Sequence, residues 1–342
     1  MSTEHNVELI TVAGLTRHPN ADTLSVTQVD GRPVIVRTGD FNVGDAAIYL
    51  PVDTLVPVAD ARFAFLAARG VDANGYHRVR ATRLRGVFSM GLLIPASADV
   101  TQHAAGTEIS SLLGTKVYEP GLNLGPGGDN ERDPGYMPVY TDVESWRKWA
   151  SKPGVLEPGL YYATEKIHGA NARYCYVDGR IWCGSRTGIK AKDPHSIWWR
   201  AAEVGGLEEK LARLGDRYAV FGEVYGQVQD LKYNVGPGVR FAAFDVWDRV
   251  NGGYVDAVRC SDLLDGMDIP LVPRVGVLTV APDGSYDAEK LREWSNGKSI
   301  LGAGSCIREG IVIRPVHERY HMMLGRVILK LVGEDYMTRK GG

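Results

Sequence analysis

The sequence predicts an α+β protein of two domains: a small β-barrel, then a larger domain built on antiparallel sheets with flanking helices. Three observations predict it. The 342 residues exceed what one hydrophobic core usually organises. Residues 1–120 carry short apolar runs broken by turn signals. A segment crowded with glycine, proline and charge, Gly121 to Gly135 (GLNLGPGGDNERDPG), lacks apolar periodicity and reads as a connector (residues 121–135) before a second domain at 136–342.

In the first domain the runs Ser25 to Val29, Pro33 to Arg37, Ala46 to Leu50 and Val87 to Ile94 are separated by Asp30-Gly31, Gly39-Asp40 and Asn42 to Gly44. Many short strands with such punctuation argue for a barrel. The second domain is mixed. Asp142 to Ala150, with Trp146 and Trp149 on one side, and Glu203 to Leu214, with Leu207, Leu211 and Leu214 at helical spacing, predict helices. Ala172 to Val177 and Arg180 to Cys183, joined by Asp178-Gly179, predict a hairpin. Further strands are expected at Tyr218 to Val224, Val239 to Trp247, Gly310 to Arg314 and Arg326 to Val332.

Composition narrows the function classes. With 44% apolar and 23% charged residues, the chain is an ordinary globular one. It has no cationic leader ahead of an apolar core and no apolar stretch long enough to span a bilayer, so a cytosolic protein without membrane attachment is expected. Cys175, Cys183, Cys260 and Cys306 show no CxxC spacing, which argues against a zinc site or a disulfide framework. A net charge of -2 confines any nucleic-acid surface to a local patch. The strip HRVRATRLR offers His77, Arg78, Arg80, Arg83 and Arg85, either as phosphate contacts or as an ordinary solvated strand face.

Chemistry concentrates in six segments. Thr164-Glu165-Lys166-Ile167-His168-Gly169-Ala170-Asn171 ends a strand with a lysine before a glycine turn, where the amine can project into a cleft. As a nucleophile it must be unprotonated, which costs roughly 4 kcal/mol at neutral pH for a lysine of pKa ~10.4; desolvation or neighbouring positive charge must lower that cost. Taken alone, such a lysine is commonly a surface charge. Gly184-Ser185-Arg186-Thr187-Gly188 sets an arginine fork where it can hold a ribose or phosphate oxygen.

Glu223, in Phe221 to Gly226, is a carboxylate on a strand made to be buried, and ribose hydroxyls would supply the donors it needs. Phe241 to Trp247 (FAAFDVW) offers an aromatic face to a purine. Glu309 opens the apolar strand Gly310 to Arg314 and suits a hydrated divalent metal beside phosphates, while Lys330, among the aliphatics Ile328 to Val332, calls for an anion. Each segment alone has a bland reading as a core strand with one ion pair; six in fixed order do not.

The series resembles the nucleotidyl motifs of the covalent nucleotidyltransferases, the superfamily of DNA ligases, RNA ligases and mRNA capping enzymes, and EKIHGAN with SRTG is similar to the nick-sealing RNA ligases of phage type. The resemblance spans Tyr161 to Val332. It implies that Lys166 is the adenylated nucleophile, that Glu165, Ile167, Asn171 and Arg186 line the nucleotide, that Glu223 holds the ribose and that Phe244 stacks on adenine. Glu309 with Glu223 would serve a Mg²⁺ or Mn²⁺ ion, and Lys330 the α-phosphate of ATP. The last phage-type motif commonly has two lysines, whereas Ile328 stands before Lys330 here, so a second cation must come from elsewhere; Arg326 is a candidate. His168 and His317 are as readily structural as functional.

The first domain has its own resemblance. His18-Pro19-Asn20-Ala21-Asp22-Thr23-Leu24, Gly44-Asp45 and Leu84 to Gly91 (LRGVFSMG) look like the OB-fold of tRNA-binding modules attached to synthetases, a barrel that holds nucleic acid on a strand face. An OB-fold ahead of an RNA ligase-like adenylyltransferase domain is similar to the Deinococcus-type ligases, which implies sealing of 3′-OH and 5′-phosphate ends at nicks in RNA-containing duplexes, with no obligate protein partner. DNA ligases and capping enzymes usually carry an OB domain after the last lysine motif. Gly342 lies twelve residues past Lys330, so a stand-alone ligase of RNA type is expected. Gly184 to Lys190 (GSRTGIK) does not fit the phosphate-binding loop of P-loop kinases, and an RNA-binding protein without catalysis would not need Lys166, Glu223, Glu309 and Lys330 together.

Overall fold

The computed structural model describes residues 5–118 and 129–339. They form two compact units, one of Met1–Pro120, Glu144–Ser151 and Met337–Gly342, the other of Gly121–Val143 and Lys152–Tyr336.

The first unit is built mainly of short antiparallel strands, with short helical turns at Ala64–Arg69, Ser110–Leu113 and Trp146–Trp149. Ala46–Leu50 is flanked by Glu8–Thr11 and Leu92–Pro95; Leu24–Val29 by Thr16–Arg17 and Arg32–Arg37; and Thr54–Pro57 by Lys116–Val117 and Tyr76–Arg78. Alternation along Ala46–Leu50 sends Ile48 and Leu50 into a core with Val7, Phe63 and Leu113, and Ala47 and Tyr49 into another with Val34 and Phe41. A strand buried on both faces must be apolar throughout, and AAIYL is. The stretch expected as one strand, Val87 to Ile94, is two: Val87–Ser89 pairs with Thr82–Leu84, and Leu92–Pro95 joins a different sheet.

The motif HPNAD has a structural task here. Buried His18 accepts the Asn20 amide on Nδ1 (3.0 Å) and places Nε2 3.1 Å from the Leu84 carbonyl, while Asn20 Nδ2 donates to the Arg85 carbonyl at 2.9 Å. Two distant sequence segments are thereby tied at the turn of the Thr82–Ser89 hairpin.

The second unit contains a seven-stranded antiparallel sheet in the order Asn130–Glu131, Ile189–Lys190, Arg180–Ser185, Ala170–Val177, Tyr218–Gly226, Val239–Asp248, Gly253–Tyr254. Part of the segment read as a connector therefore serves as its edge strand; residues 121–128 lie outside the described residues. Helices Ile197–Gly205, Leu207–Leu214 and Ala257–Asp265 cover one face through Trp198, Leu211 and Cys260. A second antiparallel sheet orders Leu329–Val332, Gly310–Pro315, Gly159–Lys166 and Arg274–Val280, with helix Ala288–Ser295 against it.

Between these sheets lies a buried polar network. Asp245 of the first sheet pairs with Arg314 of the second and, through both oxygens, with Arg326 at 2.7 and 2.8 Å; Tyr140 donates to it at 2.6 Å, and Glu318 takes the remaining guanidinium edge of Arg326 at 2.6 Å. Two carboxylates balance two guanidiniums, the condition under which buried charge is tolerated. Burial would raise the Asp245 carboxyl, but the two arginines outweigh it and hold the group below the usual carboxylate range.

Three expected elements are corrected. The helix read at Asp142 to Ala150 is a single turn, Trp146–Trp149, after a short strand at Glu144–Ser145. The helix read at Glu203 to Leu214 is the end of Ile197–Gly205 followed by Leu207–Leu214, broken at Gly206, whose left-handed backbone (φ +59) no helix continues through. The strand read at Arg326 to Val332 is split between a Tyr320–His321/Gly325–Arg326 hairpin and Leu329–Val332. Among the described residues no helix is long and apolar enough to cross a membrane.

Candidate active site

Lys166 is the last residue of Gly159–Lys166, opposite Gly310, and Gly310 is opposite Val332; two residues back, Thr164 is opposite Val312 and Val312 opposite Lys330. Directly opposed residues share a sheet face, so Lys166 and Lys330 leave the same face from strands two apart. Gly169 then turns the chain into Ala170–Val177. A Cβ at Gly169 would lie 2.1 Å from the Val224 carbonyl oxygen and 2.9 Å from Glu223 Cγ; this close approach to the Glu223 strand is why the turn needs glycine.

Glu309, buried just before Gly310–Pro315, accepts from the Lys166 ammonium on Oε1 at 2.5 Å. Its Oε2 is buried with no hydrogen-bond partner and lies 3.5 Å from His168 Nδ1. Burial alone would raise this carboxyl; Lys166 and His168 outweigh it and bring it down to about 2. Glu223 has the opposite balance. It is half-buried by exposed area yet closely ringed by protein, and burial pushes it up to about 8 against the pull of Lys166, the Gly169 amide and Arg186. Two carboxyls near one lysine thus differ in kind: Glu309 is ionised, and Glu223 holds a proton near neutrality.

Asn171 is opposite Glu223, and Glu223 opposite Ala242, so all three share one face. The Asn171 side-chain oxygen is buried without a partner, a costly arrangement that a ligand donor would relieve. Phe244 sits at the register shift between Val239–Asp248 and Tyr218–Gly226, left over between Ala243, opposite Gly222, and Asp245, opposite Phe221. Its ring lies 4.9 Å from that of Tyr140. Arg186 is exposed and paired with Asp142. Ile167 is buried beside Tyr233, Ala242 and Val272, where it backs the cleft.

Some sequence-predicted residues lie differently from expectation. Glu165 alternates to the strand face opposite Lys166; its buried carboxylate accepts the Ile300 amide at 2.8 Å and faces Arg308 at 3.8 Å, so the side chain is engaged away from Lys166. Arg326 is no second cation for the last motif, because Asp245 and Glu318 consume it in the core.

Of the basic strip of the first unit, His77, Arg78 and Arg80 line a groove of about 600 Å³, whereas Arg83 and Arg85 lie outside its lining and are exposed. Within the groove Arg78 stacks on Tyr118 at 3.6 Å and pairs with Asp53 at 2.8 Å.

Sequence reasoning missed the shell around His168. Its backbone amide donates to Tyr233 at 2.6 Å, its Nε2 lies 2.6 Å from Asp230, and Tyr336 reaches its Nδ1 at 3.2 Å. None of these partners belongs to a motif or a periodic pattern; the only signal was His168 itself, two residues from the lysine. Among the described residues, no group of three His, Cys, Asp or Glu side chains is gathered as a protein metal cage.

A family model described as RNA ligase matches residues 159–332, half of the chain and the stretch that carries Lys166, Asn171, Arg186, Glu223, Phe244, Glu309 and Lys330. The chain belongs to the RNA ligase family. A second model, an OB-fold domain, matches residues 7–96, which makes the ligase an OB-fold barrel followed by an RNA ligase domain. Solved structures of Naegleria gruberi RNA ligase share this fold. A mutant with ATP and Mn has a TM-score of 0.81 at 21% identity, covering 97% of this chain and 98% of that one. The form with PPi scores 0.80 at 22%, covering 97% of each, and an apo mutant 0.81 at 22%, covering 98% of each. Sequence comparison with curated proteins finds no match.

Proposed function

We propose that this RNA ligase is ATP-dependent, of the Deinococcus type, and seals 3′-OH/5′-phosphate nicks in RNA-containing duplexes through a lysyl-AMP on Lys166. The observation that carries the reading is the cleft itself: Lys166 on Glu309, with Glu223, Asn171 and Lys330 around it on the same sheet faces. The ATP- and Mn-bound forms of the Naegleria enzyme support nucleotide and metal use by the same fold.

In the first step the Lys166 amine, relieved of its proton and of Glu309, attacks the α-phosphorus; the nitrogen–phosphorus bond forms as the bond to pyrophosphate breaks. Lys330 stands on the same face to meet the growing negative charge. Asn171 and Glu223 hold the nucleoside, Ile167 backs it and Phe244 stacks on the base. Arg186 is released from Asp142 to a nucleotide oxygen. AMP then passes to the RNA 5′-phosphate, and the 3′-OH displaces it, forming the phosphodiester. The Glu165 side chain is left with a scaffolding role.

Glu309 and Glu223 fit a hard divalent cation. One offers a buried oxygen without a partner, and few carboxylates plus substrate phosphates is the donor set Mg²⁺ prefers. Such an ion would offset phosphate charge and draw Glu309 away from the lysine. The Arg78/Arg80 groove is the surface to receive the duplex backbone, with Arg78 already stacked and paired so that little ordering of it remains to be done on binding.

The test is sealing of nicked duplexes that differ only at the nick. A duplex with RNA on the 3′-OH side should be joined in the presence of ATP and Mg²⁺ or Mn²⁺, and the same nick with DNA there joined far more slowly. Equal sealing of both would remove the RNA-specific reading, and joining only of free single strands would remove nick sealing.

A further inference from the structure

The two faces of strand Gly159–Lys166 differ. Tyr161, Ala163 and Glu165 are buried, and helix Ala288–Ser295 closes their side so tightly that a Cβ at Gly276, opposite Ala163, would lie 2.2 Å from the Trp294 ring. The face that carries Lys166 stays open. Thr164 and Tyr162 are partly exposed, and Leu160 is 52% exposed. The partner strand Arg274–Val280, at the edge of its sheet, sets Arg274 opposite Thr164, Val277 opposite Tyr162 and Thr279 opposite Leu160. These six side chains therefore share a face with Lys166. The register shifts between Ala163 and Thr164, the kind of irregularity that re-aims a side chain beside an active site. Arg274 lies at this shift, its guanidinium carbon 3.8 Å from the centroid of the Tyr162 ring.

The other arginines discussed in this unit are engaged. Arg186 pairs with Asp142, Arg314 and Arg326 with Asp245, and Arg308 donates to the carbonyls of Trp294, Asn296 and Lys298. Arg274 is exposed, stacked and, among the described residues, paired with no carboxylate. None of the six residues of the strip is acidic. A guanidinium laid flat on a ring keeps its N–H edge for a phosphate and its outer plane for a base, and holding it there beforehand lessens the ordering left for binding. Thr164, opposite Arg274, precedes Lys166 by about 7 Å along the strand, or about two base steps of ~3.4 Å. We propose that Arg274, plated on Tyr162, is a subsite for the RNA strand end at the joint: its N–H edge takes a backbone phosphate and its outer plane a base. The inference rests on the reading of Lys166 as the joining residue. The groove of the first unit holds the body of the duplex, and this subsite seats its end.

The experiment uses the full chain and a fluorescein-labelled nicked duplex with RNA at the nick, bound without ATP over a range of salt and read by anisotropy. Arg274→Ala should bind about tenfold more weakly, with a log–log salt slope smaller by about one unit. Arg274→Lys should keep the slope and recover only part of the affinity, because an ammonium supplies the charge without the plate. In sealing of a nick whose 5′-phosphate already bears AMP, the Arg274→Ala loss should fall on KM more than on kcat. Uptake of α-labelled AMP from ATP separates RNA phosphate from the triphosphate of ATP: a loss there as large as the loss of duplex binding would assign Arg274 to ATP and overturn the proposal. So would unchanged affinity and slope in Arg274→Ala, or a slope lost as fully in Arg274→Lys as in Arg274→Ala. The side chain is exposed, and melting curves check that both variants fold. Duplex binding is read without ATP, so failure of Lys166 to take up AMP would strike the ligase reading and leave this result standing.

Discussion

In the proposed mechanism Lys166 is a nucleophile stored on Glu309. At 2.5 Å the carboxylate stabilises the ammonium, which cannot attack, so catalysis requires a second claim on Glu309 that frees the lysine. Glu309→Gln removes both the store and a metal oxygen, and lysyl-AMP formation should fall about 10²-fold or more while the fold is kept; single-turnover labelling reads this directly. Glu223 makes a different prediction. Its carboxyl sits at about 8 against an ordinary 4.5, so between those values the folded protein holds a proton that the unfolded chain has released. Stability should therefore fall as pH rises through that window. Glu223→Gln lacks this slope, so the wild type should lose thermal stability relative to the variant from pH 5 to about 8; parallel curves would contradict the assigned burial. Glu309, held near 2, acts oppositely, adding stability above 4.5 that is lost as pH falls toward 2. The motif residues were legible in sequence because chemistry restricts each to one residue type. Asp230, Tyr233 and Tyr336 were not, since only folding brings them to His168.

At the scale of elements, the lysine strand and the Glu223 strand are joined by a contact that admits no side chain. Gly169→Ala would drive a methyl into the Val224 carbonyl and toward Glu223, so strands must part by a few tenths of an ångström or more. Adenylylation should drop at least tenfold with a modest loss of stability, measured by labelling and melting together. The Asp245 network makes the complementary prediction away from the chemistry. Asp245→Ala takes from buried Arg314 the carboxylate it pairs with and leaves Arg326 with Glu318 alone, and losing one partner of such a network costs about 3–5 kcal/mol; denaturant unfolding checks it. Strand positions such as Ala46–Leu50 and Gly310–Pro315 could be read from apolar runs, since both are buried on their two faces. The helix starting at Ile197 could not, because WW followed by RAA has no clear period, and its neighbour's leucines drew the boundary too far toward the N-terminus. Arg326 misled for a related reason: sequence shows a cation next to a motif, not the carboxylates waiting for it in the core.

For the whole molecule, the proposed function divides the work, with chemistry in one unit and duplex binding in the other. Arg78→Ala with Arg80→Ala should weaken binding of a nicked duplex and lower the salt dependence by about one unit of slope per lost phosphate contact, with lysyl-AMP formation unchanged; loss of both activities would place the groove in the chemical step. The net charge of -2 gives no sign of such a groove, since a local cluster of arginines and tyrosines leaves no mark on the total, and only the strip HRVRATRLR pointed to it. The measurement closest to the central claim is incubation with α-labelled ATP and a divalent metal, followed by denaturing separation and peptide mapping. Label that survives denaturation, maps to the peptide bearing Lys166 and vanishes in Lys166→Ala is the predicted result. Label on another residue, or in Lys166→Ala, or none from protein shown to be free of bound AMP, would contradict it.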